Sequence, residues 1–211
     1  MTLGGYDAFD DPYSYKGSNC LKNRLGLRDP DVLQAFELEM SSLRAAEPLP
    51  TGLFGPAHYR RVHWHLFRDV YTWAGRYRTV RTAKGGNWFC FPEHIGSQMD
   101  LLFARLQMAS FLPGVDGEAF LIEAATLLGE LNAIHPFREG NGRVQLAFLH
   151  LVSLRAGHPL RLDRIKSETF MPAMIQSFDG DLAALHKELA KLTPLARLIH
   201  GDAPVGVRAS D

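Results

Sequence analysis

Apolar residues recur at helical spacing along most of the chain. From Asp29 onward, Leu33, Phe36, Met40 and Leu43 fall three or four residues apart, which is the spacing of one face of an α-helix. Comparable runs follow, separated by turn signals rich in proline and glycine. The pattern predicts helices over residues 29–47, 56–73, 93–110, 116–134, 142–156 and 163–192, the last with a break at Pro172.

One stretch departs from the helical pattern. Aromatic and β-branched residues occupy residues 76–82 and 88–92, on either side of Gly85 and Gly86. This arrangement predicts a short two-stranded hairpin with the two glycines in its turn. An isolated hairpin is marginally stable in water, so we expect it to dock on the helices. The predicted fold class is therefore all-α, a helical core with one short β-hairpin.

Length and composition predict how the chain is organised. With 211 residues and a hydrophobic content of 46%, one domain with a substantial core is expected. We expect this domain to span residues 1–198, with an N-terminal segment (1–28) and a core (29–192). The remaining residues, 199–211, are predicted to form a disordered tail.

Charge and cysteine content exclude several classes of protein. The 23 basic and 23 acidic residues cancel, so direct nucleic-acid binding and attraction to a membrane surface are not expected. Cys20 and Cys90 lie far apart, which excludes a disulfide scaffold and favours a reducing compartment. The N-terminus lacks the features of a signal peptide. We expect a cytoplasmic protein, which also fits an effector delivered to a host cell.

The chemistry of the chain concentrates in residues 135–143, between two apolar helices. Glycines at two positions let backbone N–H groups approach a ligand, and a helix start is a natural phosphate site. Any one of these residues alone is better explained by an ordinary turn between helices. Together they indicate a phosphate-handling site. The segment reads His135-Pro136-Phe137-Arg138-Glu139-Gly140-Asn141-Gly142-Arg143.

Each polar side chain of this loop suits one part of a nucleotide polyphosphate. Arg143 can bind phosphate oxygens through two N–H groups, and Glu139 can help hold a hydrated Mg²⁺. Asn141 can donate to a phosphate oxygen. His135 is the one group in the loop with a pKa naturally near neutrality, so it is the candidate general base for an attacking hydroxyl. We expect Phe137 to point into the core and fix the loop.

The segment resembles the signature of the Fic family, H-x-F-x-[DE]-G-N-G-R-x-x-R, and matches it at all but the last position. Residues 15–27, 66–78 and 84–86 resemble the family's N-terminal segment, second helix and flap hairpin. The resemblance therefore extends over about residues 12–190. It implies the Fic fold, in which the flap lies beside the active loop.

The resemblance also implies an activity, the transfer of AMP from Mg-ATP to a Ser, Thr or Tyr hydroxyl of a target protein. It implies that His135 deprotonates the hydroxyl, that Glu139 binds the metal and that Arg143 holds the β- or γ-phosphate. The nucleotide-binding set that it predicts comprises Gly140, Asn141, Gly142 and Arg143, together with Asn132 and Val144 on either side of the loop.

The predicted flap has two interpretations. The resemblance implies that it docks the target protein by strand addition, which depends on backbone more than on side chains. The alternative is a β excursion that only covers the core. The residues concerned are Ala83, Lys84, Gly85, Gly86 and Asn87.

The closing arginine of the signature falls at position 146, where this chain has Leu146. Its loss removes one phosphate contact, for which Arg138 and Arg155 are nearby substitutes. This departure leaves open a transferase that uses another nucleotide, a phosphoryl group or phosphocholine. A second alternative is an inactive interaction module with the same fold, against which the intact His135 and Arg143 argue.

Many members of the family carry an inhibitory helix in which Ser or Thr is followed four residues later by Glu and then by Gly or Asn. Thr126 and Glu130 have this spacing, but Leu131 follows and the segment precedes the active loop. One hypothesis is that a small antitoxin-like protein supplies the inhibitor to this toxin- or effector-like enzyme. The other is that Leu146 removed the target of such inhibition.

Overall fold

The computed structural model describes residues 11–108 and 114–194. These residues are mostly helical with one short antiparallel hairpin, which confirms the predicted all-α class. The α-helices are α1 (Pro30–Ala46), α2 (Pro56–Phe67), α3 (Ile95–Met108), α4 (Gly117–Ile134), α5 (Asn141–Ala156), α6 (Ser167–Gln176) and α7 (Ala183–Ala190). The strands are β1 (Ala83–Lys84) and β2 (Asn87–Trp88), and single 3₁₀ turns cover Pro92–His94, Leu162–Arg164 and Ser177–Asp179.

Two aspartates set the starts of α1 and α4. Asp29 accepts hydrogen bonds from the first backbone N–H groups of α1, and Asp116 does the same for α4. An N-cap carboxylate satisfies N–H groups that have no partner within the helix and favours the positive end of the helix dipole. Both helices therefore begin within a residue or two of the predicted positions.

Two predicted helix boundaries are wrong. Helix α2 ends at Phe67, not near residue 73, because the N–H groups of Val70 and Tyr71 both bond to the Phe67 carbonyl and close a turn. The predicted break at Pro172 does not occur, since this proline lies inside α6. The real break comes at Gly180, which adopts φ +86°.

Helix α5 is packed between α2 and α4, and the other helices surround this unit. Helix α1 covers α2, while α3, α6 and α7 pack on α4. The aromatic centre of the core is formed by Tyr59, Phe103, Phe137 and Phe148, all of which are buried. In the described part of the chain, no helix combines the length and apolar character that crossing a membrane requires. The predicted tail, residues 199–211, lies outside the described residues.

Candidate active site

His135 occupies an unusual backbone position at the junction of α4 and the loop. It is the C-cap residue of α4 and adopts a left-handed conformation with φ +48°, while its N–H still donates to the Leu131 carbonyl. Residues other than glycine rarely adopt this region, and those that do cluster at functional sites. The backbone therefore turns sharply at the residue predicted as the base.

Arg78 stabilises this turn through hydrogen bonds to its carbonyls. Its side chain is buried, and its Nε donates to the His135 carbonyl at 2.8 Å. Its terminal nitrogens donate to the carbonyls of Val80, Cys90 and Ile134. A buried guanidinium is costly unless its donors are bonded, and here one side chain joins both arms of the flap to the end of α4.

The imidazole of His135 lies under the flap. Its ring stacks on Phe89 with centroids 3.8 Å apart, and it hydrogen-bonds to the backbone of Asn132. Burial, followed by the positive charge of Arg78, lowers the pKa of His135 to about 3. The ring is therefore neutral near pH 7 and has the lone pair that a general base needs. Negative charge from a bound polyphosphate would raise this pKa again.

The turn of the loop is fixed by Phe137 and Asn141. Phe137 is fully buried and stacks on His63 at 3.8 Å, which confirms that it points into the core. Asn141 is also fully buried, and its side chain accepts from the Phe137 N–H and donates to the Phe137 carbonyl. The side chain thus holds the loop together, and the expected donation from the Asn141 amide to a phosphate stays a prediction, since this contact uses one of its two N–H groups.

His63 of α2 supports the loop from another side. Its Nδ1 accepts from the Gly75 N–H, so its Nε2 carries the proton that it donates to the Glu139 carbonyl at 2.9 Å. His65 instead bonds to the Arg44 carbonyl. The two rings therefore bond to different partners. Within the described residues, no three His, Cys, Asp or Glu side chains are grouped so that they could hold a metal ion.

The start of α5 offers backbone donors. Gly140 precedes it with φ +84°, and a Cβ there would lie 2.4 Å from the Phe67 ring, so glycine is required. The N–H groups of Asn141, Gly142 and Arg143 are the first three of the helix, where no intrahelical acceptor exists. No side chain of the described residues caps this start, in contrast to α1 and α4. Such a helix start binds an anion well.

Arg143 extends from this helix start towards α1. Its guanidinium donates to Glu37 and, at 2.9 Å, to the Ser41 hydroxyl, and it lies over the Phe67 ring. The side chain remains 34% exposed, so part of it faces the open side of the loop. The second oxygen of Glu37 accepts from the Tyr71 hydroxyl.

Glu139 is the carboxylate of the loop. One of its oxygens accepts from the Gly140 N–H at 2.8 Å and lies 3.8 Å from Arg143. Burial and then the charge of Glu37 raise the pKa of Glu139. A cation would relieve this repulsion, and Mg²⁺ is commonly held by one carboxylate together with waters and substrate phosphates. The residues present therefore fit Mg²⁺ brought in with a polyphosphate.

Two residues of the predicted nucleotide-binding set face elsewhere. The Val144 side chain is fully buried in the core, and its N–H bonds to the Gly140 carbonyl, so it presents nothing to a ligand. The Asn132 side chain donates to the Met174 carbonyl of α6 at 2.9 Å. The Val144 side chain is thus buried and the Asn132 side chain makes a contact between helices, and nucleotide binding by either residue stays a prediction.

Neither of the two arginines considered as substitutes takes the place of the one missing from the signature. Leu146 is half-buried and packs against the core. Arg138 is buried in an ion pair with Asp11 at 2.8 Å, and Arg155 lies over the Phe54 ring. Both candidate substitutes thus have other partners, and Arg143 is the arginine of the signature that remains at the loop.

The predicted hairpin forms around Gly85 and Gly86, but its strands are shorter than the predicted ones and lie next to the turn. Ala83 pairs with Trp88 and Lys84 with Asn87, while Gly85 and Gly86 both adopt positive φ in the turn. Two successive positive φ values are typical of the tight hairpin turns that suit the twist of β-strands. The hairpin docks through Phe89 on His135 and through Arg78, so its position relative to the loop is fixed.

Four residues that contribute to the site were not predicted: Glu37, His63, Arg78 and Phe89. Glu37 carried a detectable signal, because Leu33, Glu37 and Ser41 lie four residues apart and form the buried face of α1. A carboxylate on such a face requires a partner. The role of Arg78 had no local signal, since its acceptors are carbonyls brought together by the fold.

Comparison with known proteins agrees with this geometry. The model of the Fic/DOC family matches residues 53–153. The chain is 46% identical to "Probable protein adenylyltransferase y4lH" of Sinorhizobium fredii, across 89% of this chain and 98% of the relative. It is 35% identical to "Probable protein adenylyltransferase Fic" of Salmonella typhimurium, across 89% of this chain and 94% of that protein.

A solved structure has the same fold. The N-terminal Fic domain of a VirB-translocated Bep effector from Bartonella quintana, with bound ADP, gives a TM-score of 0.79 at 27% identity, covering 86% of this chain and 94% of that domain. BepC from Bartonella tribocorum, with bound AMPPNP, gives a TM-score of 0.77 at 27% identity, covering 86% of this chain and 96% of that chain. With a signature loop, a flap and relatives matched over nearly their whole length, the chain belongs to the Fic/DOC family.

Proposed function

We propose that the chain is a protein adenylyltransferase, which transfers AMP from ATP to a hydroxyl of a target protein. The observation that carries the proposal is the geometry of the loop, which begins with His135 stacked against Phe89 of the flap and ends at the uncapped start of α5. The relatives at 46% and 35% identity are named protein adenylyltransferases. Two related Fic domains hold ADP and AMPPNP, which supports an adenine nucleotide as the donor.

In the proposed reaction, His135 accepts the proton of the target hydroxyl. The hydroxyl oxygen forms a bond to the α-phosphorus of ATP. The bond from that phosphorus to the oxygen that bridges the α- and β-phosphates breaks, which releases pyrophosphate. The backbone N–H groups of Asn141, Gly142 and Arg143 stabilise the negative charge on the α-phosphate oxygens. The Gly140 N–H is already bonded to Glu139, so we assign Gly140 a conformational role instead.

The remaining groups of the loop handle the outer phosphates. Arg143 binds the β- or γ-phosphate with the N–H groups that Glu37 and Ser41 leave available. Glu139 would hold Mg²⁺, which neutralises the phosphate charge when it is bound. Val144 and Asn132 have no assigned role in this reaction, because the Val144 side chain is buried and the Asn132 side chain donates to the Met174 carbonyl.

We propose that the flap docks the target. Ala83 and Lys84 pair with Trp88 and Asn87 in a two-stranded ladder, and no third strand pairs with it among the residues that the structure describes. An extended target segment can add to its edge through backbone hydrogen bonds. Because Phe89 follows the hairpin and stacks on His135, such a segment would pass close to the base.

Labelling with isotopic ATP tests the activity. The chain is incubated with Mg²⁺, a cell lysate and either α- or γ-labelled ATP, in parallel with His135→Ala. His150→Ala, on α5, serves as the control. Label from α-labelled ATP that depends on His135 and is absent with γ-labelled ATP supports AMP transfer. Protein label from γ-labelled ATP would indicate phosphoryl transfer, and no His135-dependent label would contradict the proposal.

A second candidate is a related transferase with another donor, which Leu146 favours because a phosphate contact is missing. The same assay with α-labelled GTP, CTP and UTP distinguishes it. A donor other than ATP would then give the stronger His135-dependent label. An inactive module would give none, and would also bind no nucleotide.

We further propose a toxin- or effector-like role in the cytoplasm, with inhibition by a separate small protein. The support is that the sequence lacks the family's inhibitory pattern in a suitable helix. A short helical protein that copurifies with the chain and suppresses labelling would support this role. A chain that labels its target fully on its own, and whose expression without any partner does not slow cell growth, would contradict it.

A further inference from the structure

Glu37 is a carboxylate buried in the middle of α1, with 6% of its surface exposed. One oxygen accepts from the Arg143 guanidinium and the other from the Tyr71 hydroxyl. A carboxylate removed from water is stable only when charge and hydrogen bonds compensate the lost hydration. Both oxygens of Glu37 are therefore committed, and one of them is committed to the arginine of the active loop.

Arg143 is held on three sides. Glu37 binds one terminal nitrogen, Ser41 binds the other at 2.9 Å, and the Phe67 ring lies under the guanidinium. Glu37 and Ser41 are one turn apart on α1, so a single rigid face supplies both polar contacts. A free arginine side chain has several rotatable bonds, and these contacts restrict it to one orientation.

The guanidinium still has donors to offer. It carries five N–H groups, of which the contacts to Glu37 and Ser41 use two. The side chain is 34% exposed, and the terminal nitrogen that bonds to Glu37 also lies 3.8 Å from a carboxylate oxygen of Glu139 in the loop. Because residue 146 is leucine, binding of the outer phosphates depends on the orientation of this one signature arginine.

We propose that Glu37 is a positioning residue, which together with Ser41 and Tyr71 orients Arg143 towards the phosphates beyond the α-phosphate. The inference rests on the proposed function for the identity of the donor. It assigns to α1, outside the signature loop, a part in selecting nucleotides with two or three phosphates over AMP. The rival relationship is competition, in which Glu37 occupies Arg143 and must be displaced by the phosphate.

Calorimetric titration of the full chain with ATP, ADP and AMP in Mg²⁺ tests the inference. We expect Glu37→Gln to weaken ATP and ADP binding about tenfold, equivalent to about 1.4 kcal/mol, and to leave AMP binding unchanged. Glu39→Gln, at an exposed position two residues further along α1, is the matched control and should bind all three as the wild type does. Tighter ATP binding in Glu37→Gln would establish competition and overturn the proposal.

A double-mutant cycle separates positioning from general damage. In an Arg143→Ala background, Glu37→Gln should cause no further loss of ATP affinity, because its effect passes through Arg143. Additive losses, or an equal loss for AMP and ATP, would overturn the proposal. Should Glu37→Gln fail to fold, Ser41→Ala removes the other contact without changing charge, and it should weaken ATP binding in the same direction by about two- to fivefold.

Binding and transfer give separate readouts. If ATP affinity depends on Glu37 and Arg143 as expected but no protein is labelled, the proposed transfer fails while the positioning role stands. If protein is labelled and ATP affinity is unchanged in Glu37→Gln, the positioning role fails while the transfer stands.

Discussion

The Nε of Arg78 lies 2.8 Å from the carbonyl oxygen of His135, and this bond links the flap to the residue proposed as the base. The same guanidinium bonds to carbonyls on both arms of the flap. The flap and the base are thus fixed by one buried side chain, although 57 positions separate the two residues in the sequence.

Replacing Arg78 should therefore affect both stability and activity. A lysine cannot reach four carbonyls, so Arg78→Lys should lose about 2–4 kcal/mol of unfolding free energy and most of the labelling activity. Urea denaturation and the ATP assay measure the two effects. The matched control is Arg76→Lys, at an exposed position of the same segment, and equal behaviour of the two variants would contradict this role.

Glycines 140 and 142 should respond differently to alanine. At Gly140, a Cβ would meet the Phe67 ring and the backbone has positive φ, so Gly140→Ala should destabilise the fold by about 2–4 kcal/mol. At Gly142, no atom lies within 4 Å of the added Cβ, so Gly142→Ala should fold with unchanged or slightly raised stability.

Activity completes this comparison. The open space beside Gly142 is where the proposed phosphate approaches, so Gly142→Ala should lower labelling at least about tenfold despite its stable fold. Thermal unfolding and the ATP assay are measured on the same preparations. Full activity in Gly142→Ala would argue against this helix start as the phosphate site.

Stability should decrease with acid because His63 and His135 are buried as neutral rings. Burial lowers both pKa values from about 6.5 in the unfolded chain to about 3 in the folded protein. Between these values the unfolded state binds more protons, so its free energy falls relative to the folded state as pH decreases. The stabilisation is complete above pH 6.5 and is lost progressively towards pH 3.

Each histidine should contribute a slope of up to about 1.4 kcal/mol per pH unit in this range. Urea denaturation at several pH values measures the slope for the wild type and for His63→Gln. The variant should show the smaller slope, since it lacks one titrating ring. Identical slopes would show that protonation of His63 does not oppose folding.

The aromatic cover over the base gives a spectroscopic prediction. Phe89→Ala would expose the His135 ring to water, so the pKa of His135 should rise towards its ordinary value as desolvation is relieved. NMR titration of the histidine resonances measures this change. Trp88→Ala removes the exposed neighbouring aromatic and should leave the His135 resonance as in the wild type.

Local signals were sufficient to predict the helices, the hairpin and the active loop. The N-cap aspartates, the paired glycines of the flap and the burial of Phe137 all follow from the residues themselves. The end of α2 was not predicted, because Val70 and Trp73 continue the apolar spacing although they lie in turns. Apolar periodicity indicates which residues are buried, and here Val70 and Trp73 are buried although neither lies in a helix.

The supporting contacts of the site could not be predicted from local sequence. The Arg143–Glu37 pair joins residues 106 positions apart, and Asp11 reaches Arg138 across 127 positions. The Asn141 side chain was expected at the ligand, but the loop closes on itself and uses that amide internally. Sequence therefore predicted which residues take part in the chemistry, while the fold determines which of their atoms already have partners within the protein.

The short flap also limits what a target must look like. A strand that adds beside β1 or β2 advances about 3.3 Å per residue and turns successive side chains to opposite faces. Since Arg78 and Phe89 fix the hairpin over His135, a hydroxyl shifted by one residue would point away from the base. The enzyme would then select substrates by the position of a hydroxyl along an extended segment. The identity of the neighbouring side chains would matter little.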